Sequence, residues 1–255
     1  MQLNIENLDR ACQALSTHGD DMAESFEGFF SSLLKIRSRM TRVRGDVSAA
    51  VGAEASDCVW LKEMTDGLNK VTSLPMTRLT SSIQMRDSLE QRLSHVREGF
   101  QLLCSAPEIA QLRMARVLSA QAKSIADTLN EISESSMRSC ESLAEGLESA
   151  SEQIPEIDRT QPSNFDASDQ VIALEASNTL QSLSGEIGVL SARISELGDH
   201  AQHLGVVAAS MRKMCDAPSA ATAPASLLAG LQKLYTSDVE HEVHQAELQR
   251  SSFPS

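Results

Sequence analysis

The chain has 255 residues, of which 41% are hydrophobic and only 3% aromatic, and its formal net charge is −13. That length suits one large core or two small ones, and an apolar load of Leu, Ile, Val, Ala and Met suits the thin aliphatic interior of bundles and coiled coils rather than a deep ligand pocket. The acidic balance disfavours nucleic acid as a partner, because Lys and Arg on phosphates supply most of that affinity.

Taken in chain order, a weak amphipathic stretch from Leu3 to Leu15 ends at His18-Gly19-Asp20, a plausible break. From Met22 the apolar positions Met22, Phe26, Phe29, Leu33, Ile36, Met40, Val43, Val47 and Ala50 alternate in steps of four and three, which is a heptad seam. A second helix is expected from about Asp57 to Cys104, with Leu79, Ile83, Leu89, Leu93, Val96, Phe100 and Leu103 as its stripe. Pro75 should kink or split it, since proline removes a backbone donor and crowds the preceding turn.

Ser105-Ala106-Pro107 reads as a tight connection into a third helix, Pro107 to about Gln153. Its seam turns polar at Ser135, Ser136 and Ser139, which implies a close-packed waist. The Pro-containing segment from Pro155 to Asp166 is the longest internal loop, and a fourth helix then carries a strict seam from Ala173 through Leu180, Ile187, Ile194 and Leu197 to Leu204. Four such helices at 1.5 Å rise per residue would make a rod of about 65–70 Å. The expected fold is therefore all-α, an elongated antiparallel four-helix bundle over residues 1–215.

Residues 216–225 have the small, Pro-containing composition of a flexible linker. Residues 226–255 then form an amphipathic tail, with Leu227, Leu228, Leu231, Leu234 and Tyr235 on one face of a helix capped by Ser226. Ser237 and Glu240 have capping-box spacing for a further helical segment. The tail face can dock on the bundle or on a partner, and sequence leaves both open. It also leaves open whether the helices close within one chain or across a homodimer.

No apolar run approaches the roughly 20 residues of a membrane span, and the polar stretch Met1 to Arg10 lacks a signal-peptide core, so a cytoplasmic protein is expected. Cys12, Cys58, Cys104, Cys140 and Cys215 form no C-x-x-C pair and suit small core residues in a reducing compartment. His200/His203 and His241/His244 have i,i+3 spacing, but two ligands do not make a metal site, and no metal is assigned. Lys35, Arg37, Arg39, Arg42 and Arg44 lie mostly off the seam, as a solvated face with intrahelical ion pairs would. Nucleotide-loop, zinc-protease and serine-hydrolase motifs are missing.

Three Asp-x-x-x-Gln pairs occur: Asp9/Gln13, Asp87/Gln91 and Asp166/Gln170. Only the middle one falls within a helix interior, in Ile83-Gln-Met-Arg-Asp87-Ser-Leu-Glu-Gln91-Arg-Leu-Ser-His95-Val96. This segment resembles the catalytic helix of the CheZ-type chemotaxis phosphatases, whose Asp-x-x-x-Gln motif follows a Gln placed three residues earlier, here Gln84. It is also similar to a stretch of other helical chemotaxis-associated proteins, as are Ser94-His95-Val96, Gln111-Leu112-Arg113 and the tail around Leu234-Tyr235-Thr236 and Val243-His244. His95 to Gly99 is more faintly similar to the phosphorylated segment of histidine phosphotransfer bundles, with Glu98 where those carry Lys.

The first resemblance implies a phosphatase acting on a response-regulator receiver domain, with Gln91 catalytic and Asp87 assisting. It implies no cofactor of the chain's own, since the receiver would bring the Mg2+, and it makes Leu227, Leu228, Leu231, Leu234 and Tyr235 a candidate tether for that partner. Other chemotaxis proteins are further candidate partners. The competing expectation is a non-enzymatic helical scaffold in a chemotaxis or two-component complex, which the long seams serve equally well.

Overall fold

In the computed structural model the described residues are 24–39, 59–104, 108–152, 154, 167–215 and 225–252, with isolated positions 13, 14, 17 and 21. They are helical throughout apart from short turns, and none of them is in a strand. Helix α1 covers 24–39, followed by α2 (Val59–Gln84), α3 (Arg86–Cys104), α4 (Glu108–Glu152), α5 (Ala167–Cys215), α6 (Ala225–Gln232) and α7 (Asp238–Ser252). No described helix is long and apolar enough to cross a membrane. Of the expected linker, residues 216–225, only Ala225 is described, and it is already the first residue of α6; the rest of it, the loop from 155 to 166 and the seam beyond residue 39 lie outside the described residues.

Pro75 does not split the second helix. α2 runs unbroken through it, and the interruption falls ten residues later at Met85, a single turn residue between α2 and α3. A proline inside a helix forfeits one i→i−4 hydrogen bond, and here the buried ring sits among the packed residues Thr72 and Leu79 of the same face. Between Leu68 and Ser82 the hydroxyls of Thr72, Thr77, Thr80, Ser81 and Ser82 each bond the carbonyl four residues back. Such bonds compete with the backbone ladder and weaken a helix from within. The amide of Leu89 still reaches the Met85 carbonyl at 3.1 Å, so the interruption is one residue long.

The chain divides into two compact units. One comprises Met1–Phe26, Gln84–Ser133 and Glu196–Ser255. Its core is the inner face of α3 (Leu89, Leu93, Val96, Phe100 and Leu103) with Met114, Leu118, Ile125 and Leu129 of α4 and Leu197, Leu204 and Met211 of α5. The tail, which sequence allowed to dock on the bundle or on a partner, groups with this unit. Gly99 shows how closely its helices approach: a Cβ there would lie 2.5 Å from Leu118 Cδ2 and 3.1 Å from Leu231 Cδ2.

The other unit comprises Glu27–Ile83 and Glu134–Ser195. Phe29, Leu33 and Ile36 of the α1 seam are buried there, as are Leu143 and Leu147 of α4 and Leu180, Leu183, Ile187 and Leu190 of α5. The polar waist is close-packed: Ser136 and Ser139 are buried, and Ser136 Oγ donates to Ser82 Oγ at 3.1 Å. Gly146 belongs to the same economy of space, because a Cβ at that position would collide with Val71 of α2.

Candidate functional site

The N-terminal half of α3 presents two faces. Leu89, Leu93, Val96 and Phe100 repeat at steps of three and four and turn inward, which leaves Asp87, Ser88 and Gln91 exposed; Gln84, the last residue of α2, is exposed as well. Asp87 does not fall in a helix interior as expected: with the break at Met85 it lies in the first turn of α3, where a carboxylate complements the helix dipole. Gln91 stands one turn further on, so the two side chains are surface neighbours, with Cβ atoms about 5–6 Å apart by helix geometry. Glu90 does not stand alone beside them, because Arg86 Nε donates to Glu90 Oε1 at 2.6 Å.

His95 continues the row Asp87, Gln91 by one more step of four. Its Nδ1 lies 2.8 Å from Glu240 Oε1 of α7, with the two side chains only 11% and 1% exposed. Glu240 is also the third helical residue after Ser237, and its Oε2 accepts from the amides of Thr236 and Ser237 at 3.2 Å each and from Ser237 Oγ at 3.0 Å. The expected capping box is therefore present, with one carboxylate oxygen on the cap and the other on His95. Burial pushes the Glu240 carboxyl pKa up, but the hydrogen bonds from His95, Thr236 and Ser237 outweigh it and hold the group below its ordinary value. An ionised Glu240 makes Nδ1–H the donor in the His95 contact.

Around this pair the unit carries an unusual amount of buried polarity. Gln121 Nε2 donates to the Glu240 carbonyl at 2.7 Å, Arg92 Nη2 to Ser124 Oγ at 2.8 Å, and Arg212 Nη1 to Glu247 Oε1 at 2.5 Å. Tyr235 Oη lies 2.8 Å from His244 Nδ1, and His244 is fully buried. Burial, with the nearby His241 and Arg113, lowers the His244 pKa, and burial raises that of Tyr235, so both rings are neutral near pH 7.

The tail face named as a candidate tether is largely covered by the chain itself. Leu228, Leu231 and Tyr235 are buried and Leu234 is half-buried, while the Leu227 side chain lies outside the described set. α6 begins at Ala225, one residue before the expected cap Ser226, within the usual spread of helix ends. The histidine pairs do not converge: His203 and His241 are exposed, His200 lies 3.3 Å from Ser25 Oγ, and His244 is held by Tyr235. Among the described residues no group of three or more His, Cys, Asp or Glu could hold a metal ion. In the basic run, Lys35 and Arg37 are exposed and Arg39 pairs with Glu186 at 3.1 Å, whereas Arg42 and Arg44 are not described.

Sequence reasoning missed the buried polar set of Arg92, Gln121 and Glu240. The capping box was visible, but the 145-residue separation of His95 from Glu240 left no local signal of their contact. No family model, curated protein or solved structure matches the chain.

Proposed function

We propose that the chain accelerates dephosphorylation of a response-regulator receiver domain, with Gln91 orienting the attacking water and Asp87 assisting. The carrying observation is that Asp87 and Gln91 stand exposed on adjacent turns of α3, whose opposite face is core. The Gln91 amide has the two functions the reaction needs: its oxygen accepts from water and its nitrogen donates to a phosphoryl oxygen. Asp87, one turn away, pairs with a cation on the receiver. No pocket is required, since the receiver brings the aspartyl phosphate and its Mg2+.

The wider setting belongs to the same proposal: a cytoplasmic chemotaxis-type signalling protein whose long helices close as an antiparallel four-helix bundle. The buried heptad seams of α1, α4 and α5 support that arrangement. Of the two placements sequence left open for the tail, burial of Leu228, Leu231 and Tyr235 supports docking within the chain, beside α3.

The test mixes the full chain with phosphorylated receiver domains from the same genome and follows phosphate release. Acceleration by the wild type and none by Gln91→Ala is the expected result. No acceleration of any receiver would overturn the proposal and favour the non-enzymatic scaffold.

A further inference from the structure

The Glu240–His95 pair does more than a helix cap requires. A capping box needs one carboxylate oxygen, and Oε2 alone serves the Ser237 end of α7. The second oxygen is spent on an imidazole one helical turn from Gln91, at the edge where the row that begins with exposed Asp87 and Gln91 passes under α7 and the side chain is 11% exposed. A carboxylate on Nδ1–H fixes both the tautomer and the ring orientation, and leaves Nε2 as the nitrogen that carries a lone pair.

Resting on the phosphatase reading above, we propose that His95 is the proton acceptor of the site and Glu240 its positioning residue. The water held by Gln91 attacks phosphorus as one of its protons passes to His95 Nε2. The new bond joins water oxygen to phosphorus. The bond that breaks joins phosphorus to the receiver's aspartyl oxygen, and its electron pair stays on that carboxylate. Inorganic phosphate leaves and the imidazolium returns its proton to solvent.

Three features support this assignment. The first is register: Asp87, Gln91 and His95 follow one another at steps of four, which places Gln91 between a carboxylate and an imidazole on neighbouring turns. The second is rigidity, because Glu240 is fixed through four hydrogen-bond partners: His95, the amides of Thr236 and Ser237, and the Ser237 hydroxyl. Its main-chain carbonyl is held as well, by Gln121. The third is charge: an ionised carboxylate at Nδ1 stabilises the imidazolium that forms when Nε2 takes the proton. The tail thereby becomes part of the catalytic apparatus, acting through His95.

The experiment uses the full chain, a phosphorylated receiver domain that it dephosphorylates, and the variants His95→Asn, His95→Gln and Glu240→Gln. The shorter amide of His95→Asn keeps a donor near the Nδ1 position for Glu240 but has nothing where Nε2 was. His95→Asn should lower kcat by at least about 10²-fold, within the usual range for a lost general base, while KM and Tm hold. Glu240→Gln, which keeps an acceptor but removes the charge, should lower kcat less, again at constant KM. His95→Gln keeps an amide near the Nε2 position but no base, and should not restore the rate.

Wild-type kcat in His95→Asn, or a loss that tracks Tm or KM, would reduce the pair to a structural pin and overturn the inference. If that variant is fully active while Gln91→Ala is dead, this inference alone fails. If the wild type itself dephosphorylates no receiver, the phosphatase reading fails and this inference with it.

Discussion

Tyr235 Oη and His244 Nδ1 meet at 2.8 Å inside the protein, joining the residues just past α6 to the middle of α7. Their rings also stack edge to face, with centroids 5.4 Å apart. Both groups are buried and neutral, so this hydrogen bond competes with no solvent and fixes the angle between the two tail helices.

Tyr235→Phe tests that bond with almost no change of shape. It leaves His244 Nδ1 without its partner, and an unsatisfied buried polar atom costs about 1–3 kcal/mol. Urea melts should show a loss of that size. Hydrogen exchange should place the change in α6 and α7 while the α3 and α4 amides stay protected. Unchanged stability would mean that water reaches the site freely.

Acid should loosen the same tail in two stages. The His244 pKa is lowered in the folded state, so below its ordinary value of 6.5 the unfolded chain binds the proton first and stability begins to fall. The Glu240 carboxyl is likewise held below its ordinary 4.5, so its contribution is complete above that value and is lost as pH falls through the folded pKa. Amide exchange in α7 should therefore accelerate from about pH 6.5 downward and again below about 4.5. A His244→Phe variant should lack the first stage and keep the second.

Leu231 offers a packing test of the docked tail. It is fully buried, and its Cδ2 approaches Gly99 on α3. Truncation of a buried Leu to Ala removes transfer energy and leaves a cavity, together worth about 2–5 kcal/mol. Leu231→Ala should show that loss in denaturant melts. Gly99→Leu should disrupt the same contact from the other side, because even a Cβ at position 99 falls within 2.5 Å of Leu118. If both variants leave α6 protection unchanged, the tail does not depend on this contact.

The long helices were legible because their seams are. Phe26, Phe29, Leu33 and Ile36, and likewise Leu180, Leu183, Ile187, Leu190, Ile194 and Leu197, are buried where the alternation of three and four places them. The break at Met85 was not legible. Pro75 has the stronger breaking chemistry, yet α2 continues through it and the break falls at Met85, which has no helix-breaking side chain. Asp87 and Gln91 could be placed on an outer face from periodicity alone. The partnership of His95 with Glu240 could not, because it joins helices distant in the chain and both residues also have adequate local explanations.

The pair Arg86–Glu90 supplies a last test of the α3 surface. Both side chains are about one-third exposed or less, and Arg86 Nε donates to Glu90 Oε1 at 2.6 Å beside the outward row. On the proposed reading, a phosphoryl group approaches Gln91 with several negative charges, and Glu90 would repel it were its charge not offset by Arg86. The offset is a fraction of the full Coulomb energy at such exposure, on the order of 0.3–1 kcal/mol. Arg86→Ala should therefore raise KM for the phosphorylated receiver by about two- to fivefold, the factor equivalent to that energy. The effect should shrink as ionic strength rises, since exposed charges are screened. The double variant Arg86→Ala/Glu90→Gln should restore KM, because it removes the charge that had become unbalanced. If the double variant is as impaired as the single one, Arg86 touches the receiver directly and its bond to Glu90 is incidental.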